Sequence, residues 1–220
     1  EYKTAIFTNL SWDHIGPTEH ADMEDYANAK SELFSMSRNA VINKDSPYWE
    51  KMAGKAAGKL YTYGITAPDC DFRAVNIVKH PDRVEYDIEA DCFAVAPHVF
   101  VPVPGTFSVY NSLAAITVAY LHRIPMETVL RGIRNVFVPG KAEVVPTGRD
   151  FTVLIDYAHN PDSFINIIST VKEFAKRTVF LFGCGGDRNR PRELMGETAG
   201  KYISRVIVCE ENAERSAELD

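Results

Sequence analysis

Apolar residues recur along this chain with two different periods, and the switches between them outline its elements. The run Thr4-Ala5-Ile6-Phe7 opens a stretch, residues 4–9, that reads as a core strand. Residues 22–36 instead place Met23, Tyr26, Leu33 and Phe34 at helical spacing. A short strand is expected at 40–43, and a β-rich region from 59 to 104, where Val84-Glu85-Tyr86-Asp87-Ile88 alternates strictly. An apolar helix follows at 108–122 and a second at 125–135, opening at Pro125. Pro139-Gly140 is the strongest punctuation in the chain and the expected boundary between domains 1–139 and 140–220. Beyond it, strands at 151–156, 178–183 and 205–209 alternate with helices at 162–175 and 192–203. That order predicts an α/β fold with right-handed crossovers and a parallel, Rossmann-like sheet, whose ligands bind outside the carboxyl ends of the strands.

The bulk properties narrow the class. A chain of 220 residues can bury a sizeable core and hold one large domain or two small ones. Apolar content of 45% and charged content of 25% are those of an ordinary soluble globular protein. The formal charge of −6 argues against nonspecific nucleic-acid binding. Four cysteines (Cys70, Cys92, Cys184, Cys209) without a C-x-x-C pair point to a reduced, cytoplasmic protein rather than a disulfide scaffold or zinc site. No apolar run reaches the about 18 residues of a membrane helix. The expectation is a monomer with no nucleic-acid or membrane partner. No signal peptide precedes the first strand, and only a polar tail follows the last, so the chain reads as a piece of something longer.

The densest chemistry lies at Phe182-Gly183-Cys184-Gly185-Gly186-Asp187-Arg188-Asn189-Arg190-Pro191. Glycines let a backbone approach a ligand and expose its N–H groups, while Arg188 and Arg190 set fixed cations beside that concavity. This is an anion site at a strand end, and neither a G-x-G-x-x-G turn nor a P-loop. Lys30 falls within the apolar stripe of the helix at 22–36. The plain reading is a lysine snorkelling from a core-facing position; the sharper one is a partly desolvated lysine used for covalent chemistry or ligand contact. Asp13-His14, past the first strand, suits a metal or phosphate site, or the histidine caps a loop; His20 is a second candidate. Asp156, at a strand's carboxyl end, is placed to accept from a ribose. Asp162 is expected to cap the following helix. Asn111 presents its amide to a base edge or bonds locally near its helix start.

These segments occur in one order: Thr8-Asn9-Leu10-Ser11-x-Asp13-His14, Tyr26-x-x-Ala29-Lys30, Gly105-x-Phe107-x-x-x-Asn111-x-Leu113-Ala114-Ala115, Asp156-Tyr157-Ala158-His159-x-Pro161-Asp162 and Gly183-Cys184-Gly185-Gly186-Asp187-Arg188. The order resembles the Mur ligases of peptidoglycan synthesis over essentially the whole chain. Within them it is similar to the member that adds a diamino acid to UDP-N-acetylmuramoyl-L-alanyl-D-glutamate (UDP-MurNAc-L-Ala-D-Glu). The resemblance implies part of a central ATPase domain, then part of a Rossmann-like C-terminal domain. It also implies a chemistry in which ATP phosphorylates the substrate carboxylate and an incoming amine attacks the acyl phosphate.

On the same resemblance Lys30 is the lysine that becomes carbamylated, an anionic oxygen ligand for Mg²⁺, and His14 contacts a second Mg²⁺. Asn111 lies by the adenine, Asp156 on the ribose, and Arg188 grips the carboxylate of the incoming amino acid. Three departures bear on activity. The family's P-loop and its following glutamate are expected upstream of Glu1, so these residues alone are expected to be inactive. Gly140-Lys141-Ala142-Glu143 stands where the family has Gly-Arg-x-Glu, so Lys141 keeps the charge toward ATP phosphates but loses the bidentate fork. Glu211-Asn212-Ala213-Glu214 stands where diaminopimelate-type enzymes carry Asp-Asn-Pro-Arg. Asn212 is retained as a substrate contact, but Glu214 would face the distal carboxylate of meso-diaminopimelate. The loop from Ile15 to His20 resembles the lysine-adding enzymes, which makes L-lysine the competing acceptor. Alternatives are another ligase on this scaffold, such as a cyanophycin synthetase, or a non-catalytic Mur-like binding module. Gly183 to Arg188 speaks against a folylpolyglutamate synthetase.

Overall fold

The computed structural model describes residues 2–12, 14–16, 19–183 and 192–209. They form two compact units, Glu1–Phe137 and Val138–Asp220.

The first unit is built on one six-stranded sheet whose spatial order follows the chain: β1 (Tyr2–Phe7), β2 (Ser37–Asn43), β3 (Lys59–Gly64), β4 (Phe72–Lys79), β5 (Val84–Glu89) and β6 (His98–Val101). β1 to β4 run parallel, and β5 and β6 return antiparallel, so the sheet is mixed. α1 (Met23–Ser35) and α2 (Trp49–Gly54) make the first two crossovers, and α3 (Thr106–Leu121) and α4 (Met126–Arg134) follow the sheet. The loop from β3 to β4 is too short for a helix, yet the strands are parallel. They overlap only at Tyr63↔Phe72 and Gly64↔Arg73, so β4 begins where β3 ends. Asp71 bridges the junction by accepting from the Thr62 N–H and hydroxyl, both at 2.7 Å.

β2 is apolar on both faces because it is covered on both. Ala40 and Ile42 pack with Ala27, Phe34 and Met52 of α1 and α2, while Val41 joins the cluster under α3. That second cluster includes Tyr63, Tyr86, Ile88, Val99, Leu113 and Ile116, all inaccessible to water. Its two tyrosines meet the requirement that buried hydroxyls be bonded: Tyr63 donates to the Phe7 carbonyl at 3.2 Å, and the hydroxyls of Tyr86 and Ser112 share a bond of 2.8 Å. Gly105, at φ 95, turns the chain into α3 through a region that side chains disfavour.

At the carboxyl end of the parallel strands, Asp45 is a hub. It accepts from the N–H groups of Ile65 (2.6 Å), Thr66 (3.0 Å) and Ala67 (2.7 Å), the Thr66 hydroxyl (2.6 Å) and the Tyr110 hydroxyl (2.9 Å). Gly64 makes room for it, since a Cβ there would come within 3.1 Å of the carboxylate. Partial burial alone would raise the Asp45 carboxyl; the Thr66 hydroxyl and the three N–H groups outweigh it and hold the group at about 2.

The second unit carries two small sheets. β7 (Glu143–Val145) pairs antiparallel with β8 (Val153–Ile155), and β9 (Val179–Phe182) pairs parallel with β10 (Arg205–Val208). α5 (Pro161–Lys172) and α6 (Arg192–Tyr202) connect them. Phe164 of α5 sets its ring edge-on to Phe180 and Phe182, centroids 5.0 and 4.9 Å away. The cap of α5 is Asn160 and not Asp162. Asn160 accepts from the Ser163 N–H, Ser163 reaches back to the Asn160 N–H, and Pro161 takes the first helical position. Asp162 sits in the first turn, where its charge complements the helix dipole.

The hub yields a prediction with a sign. Asp45 has a lower pKa folded than unfolded, so its contribution is present above about pH 4 and lost as pH falls from 4 toward 2, on the order of 1–2 kcal/mol after solvent screening. Urea denaturation should find Asp45→Asn about 2 kcal/mol less stable near pH 6. The gap to the unaltered protein should narrow between pH 4 and 2; a constant gap would contradict the assignment.

Candidate functional site

The loop after β1 and the first turns of α1 enclose a cavity of about 310 Å³ lined by His14, Glu19, His20, Tyr26 and Lys30. Asp22 caps α1 by accepting from the Asp25 N–H at 2.8 Å. Asp25, freed to point back along the loop, accepts from His20 Nδ1 at 3.1 Å and from the Ala21 N–H at 3.2 Å. The bond from His20, then that from Ala21, holds the Asp25 carboxyl below its ordinary range. His14 makes the matching pair with Glu19, Nδ1 to Oε1 at 3.0 Å. The loop closes through the His20 N–H donating to the His14 carbonyl at 3.0 Å. His14 adopts a left-handed backbone, φ 57, a conformation that collects at functional loops.

Tyr26 is the floor of this cavity. Its buried ring stacks on His20 at 4.9 Å, lies 5.8 Å from the His14 ring and carries the Lys30 ammonium 5.2 Å from its centroid. The structure thus brings Lys30 and His14 together. Lys30 is exposed rather than desolvated: the buried face of α1 is Tyr26, Ala27, Ser31 and Phe34, and the lysine lays its head over the aromatic ring. Each imidazole is held at Nδ1 by a carboxylate, as outer carboxylates orient metal-binding histidines. Mg²⁺, however, takes oxygen ligands. The cavity offers one carboxylate, two imidazoles and an ammonium, and no three His, Cys, Asp or Glu among the described residues are grouped to hold an ion. With Lys30 unmodified, this set does not fit Mg²⁺.

Asn111 is exposed on the second turn of α3 in the same unit. In the second unit, Asp156 accepts from the Ala142 N–H at 2.7 Å, and Glu143 accepts from the Gly140 N–H at 2.8 Å. Gly140 and Ala142 both have positive φ, 68 and 47. The turn carrying Lys141 is therefore tied to the end of β8, and the Lys141 ammonium lies 5.1 Å from the centre of the Tyr157 ring. One Asp156 oxygen expected to face a ribose is thus already engaged in shaping the loop. Arg188 and Asn212, like Asp13, lie outside the described residues. A larger cavity of about 510 Å³ between α5 and α6 holds none of the candidate residues. The chemistry therefore points to the smaller one. No periodic signal marks Glu19, Asp25 or Asp45, because Glu19 and Asp45 act from loops and Asp25 acts by bonding back to the loop before α1.

Two family matches cover most of the chain: the Mur ligase middle domain over residues 1–119 and the Mur ligase glutamate ligase domain over 140–220. The chain belongs to the Mur ligase family. A UDP-N-acetylmuramoyl-L-alanyl-D-glutamate–2,6-diaminopimelate ligase of Caldanaerobacter subterraneus subsp. tengcongensis is 43% identical over 218 residues, 96% of this chain and 44% of that protein. The protein of the same name from Clostridium botulinum is 37% identical over 221 residues, again 96% and 44%. A solved structure of a ligase with that name is 28% identical, with TM-score 0.67 over 96% of this chain and 45% of its own. MurF from Acinetobacter baumannii, 18% identical with TM-score 0.80 over 94% and 47%, shares the fold. The chain spans less than half the length of the curated relatives it matches.

The Asp156 contact is testable by itself. Asp156→Ala should speed hydrogen exchange at the Ala142 amide by about tenfold, the worth of one net hydrogen bond. An unchanged rate would show that the turn is held by something else.

Proposed function

We propose that this chain is the ATP-binding and amino-acid-binding part of a longer ligase that forms an amide between UDP-MurNAc-L-Ala-D-Glu and a diamino acid through an acyl phosphate. The observation that carries the reading is the cavity pairing Lys30 with His14 on one aromatic floor, in a chain whose two halves match two Mur ligase domains. Phosphoryl transfer is mostly positioning and charge stabilisation. On this reading Asn111 takes the adenine edge, Asp156 the ribose and Lys141 a phosphate oxygen, while Arg188 and Asn212 contact the incoming amino acid. The 220 residues contain no Gly-Lys-Ser/Thr loop. By themselves they should turn over no ATP, since nothing in them cradles the β,γ-phosphates.

The Mg²⁺ reading requires Lys30 as a carbamate, which replaces an ammonium with two oxygens sharing one negative charge beside His14. ¹³C NMR of the protein in ¹³C-bicarbonate should show a carbamate resonance that Lys30→Arg abolishes. Absence of that resonance from the unaltered protein would remove Lys30 from the ligand set. In the full-length gene product Lys30→Ala should lower kcat by about a hundredfold or more with the KM for ATP little changed, the pattern for a group acting in the transition state.

The relatives' names make meso-diaminopimelate the first acceptor to test. Glu214, where those enzymes would have an arginine, is the observation favouring L-lysine. Initial rates with each amino acid should differ by about tenfold or more, because an unpaired carboxylate facing Glu214 is penalised. Equal rates would show that residue 214 does not read the acceptor.

A further inference from the structure

Asn111 stands on α3 between two anchored neighbours. Tyr110 donates its hydroxyl to Asp45 at 2.9 Å, and Ser112 bonds the buried Tyr86 hydroxyl at 2.8 Å. Successive side chains turn by about 100° around a helix, so these anchors hold flanks about 200° apart and Asn111 projects midway between them. The first anchor is firm at its far end, because Asp45 is itself clamped by the N–H groups of Ile65, Thr66 and Ala67. Rotation of α3 about its axis is thereby set by hydrogen bonds to the sheet as well as by packing, and Asn111 stays exposed.

We infer that Asp45 and Tyr110 form the positioning pair for the nucleotide base, holding α3 at the rotation in which the Asn111 amide meets the adenine edge. The inference rests on the reading of Asn111 as the adenine contact. An asparagine amide matches adenine because it accepts from the 6-amino group while donating to N7; guanine presents an oxygen acceptor at that position. Such discrimination depends on where the amide points, since displacements near 1 Å degrade a bidentate pairing steeply. Tyr110→Phe keeps the ring and its packing and removes only the tether. The helix then gains rotational freedom, so the base contact blurs while the triphosphate contacts do not.

Dissociation constants for ATP and GTP, measured by calorimetry on the full-length gene product, give the readout. Tyr110→Phe and Asp45→Asn should each lower the preference for ATP over GTP by about three- to tenfold, through weaker ATP binding. Asn111→Ala should lower it at least as far, and adding Tyr110→Phe to Asn111→Ala should change it no further. If Asn111→Ala lowers the preference while both other variants keep it, the positioning role is overturned and Asn111 stands as the base contact. If Asn111→Ala leaves the preference intact, or neither nucleotide binds, the reading of Asn111 falls and the inference with it. The ratio separates positioning from simple destabilisation, which would weaken both nucleotides alike.

Discussion

The carboxylate of Asp45 is the contact on which the first unit's working end depends. Parallel strands have no hairpins to hold their carboxyl ends together, so the loops leaving them are free to separate unless something else ties them. Here two nearly adjacent side chains do so. The Asn43 amide donates to the Thr8 carbonyl at 2.8 Å, securing β1 to β2, and the Asp45 N–H donates back to Asn43 at 3.1 Å. Asp45 then gathers the loop after β3 and the start of α3. A carboxylate suits this role because it accepts several bonds at once and strengthens each by its charge. Burial opposes its ionisation, and the donors win by enough to keep it charged well into acid.

Much of the framework was legible because the sheet is buried in a regular way. The apolar run Ala40-Val41-Ile42 of β2 follows from cover on both faces, whereas edge strand β1 buries Ala5 and Phe7 and leaves Ile6 exposed, and the alternation at β5 comes from a strand with one face on the core. The six-residue helix Trp49–Gly54 and the three-residue strand Glu143–Val145 are not legible in the sequence because neither is long enough to show a period. The cap of α5 went to Asn160 over Asp162 because Pro161 prefers the first helical position, which fixes the cap one residue earlier. Lys30 occupies the helical position its spacing implies, but a four-carbon stem let its charge leave the stripe that periodicity assigned it. Periodicity locates a Cβ, not the end of a long side chain.

The chemistry of the small cavity is set by charge pairing more than by depth. Two imidazoles, each bonded at Nδ1 to a carboxylate, face a tyrosine that also carries the lysine. The aromatic face of Tyr26 attracts cations, and the Lys30 ammonium lies over it. A hard cation asks for the reverse: oxygen anions in place of that ammonium. These demands are incompatible in one chemical state of the lysine. A metal-binding role for the cavity therefore depends on a covalent change at Lys30, whereas His14 and His20 are oriented without it.

The two units hold their candidate residues by different means. In the first, Asn111 stands on a helix tied to the sheet by long-range bonds from Tyr110 and Ser112, while His14 and His20 are held by bonds within their own loop and the start of α1. In the second, β9 packs Phe180 and Phe182 against Phe164, while Val179 and Leu181 of β9 and Val208 of its partner β10 remain largely exposed. Parallel strands are ordinarily buried on both sides, so this ribbon draws less from hydrophobic burial than β2 does. Order near Lys141 and Asp156 comes instead from short-range devices: Asp156 on the Ala142 N–H, Glu143 on the Gly140 N–H and the Asn160–Ser163 box. Each such device spans only a few residues or joins two neighbouring segments, so its loss frees one loop and leaves the rest standing. Removing Asp45 would instead release the loop after β3 and the start of α3 together. The base-contacting candidate of the first unit is thus coupled to its unit's global stability, whereas those of the second answer to local bonds.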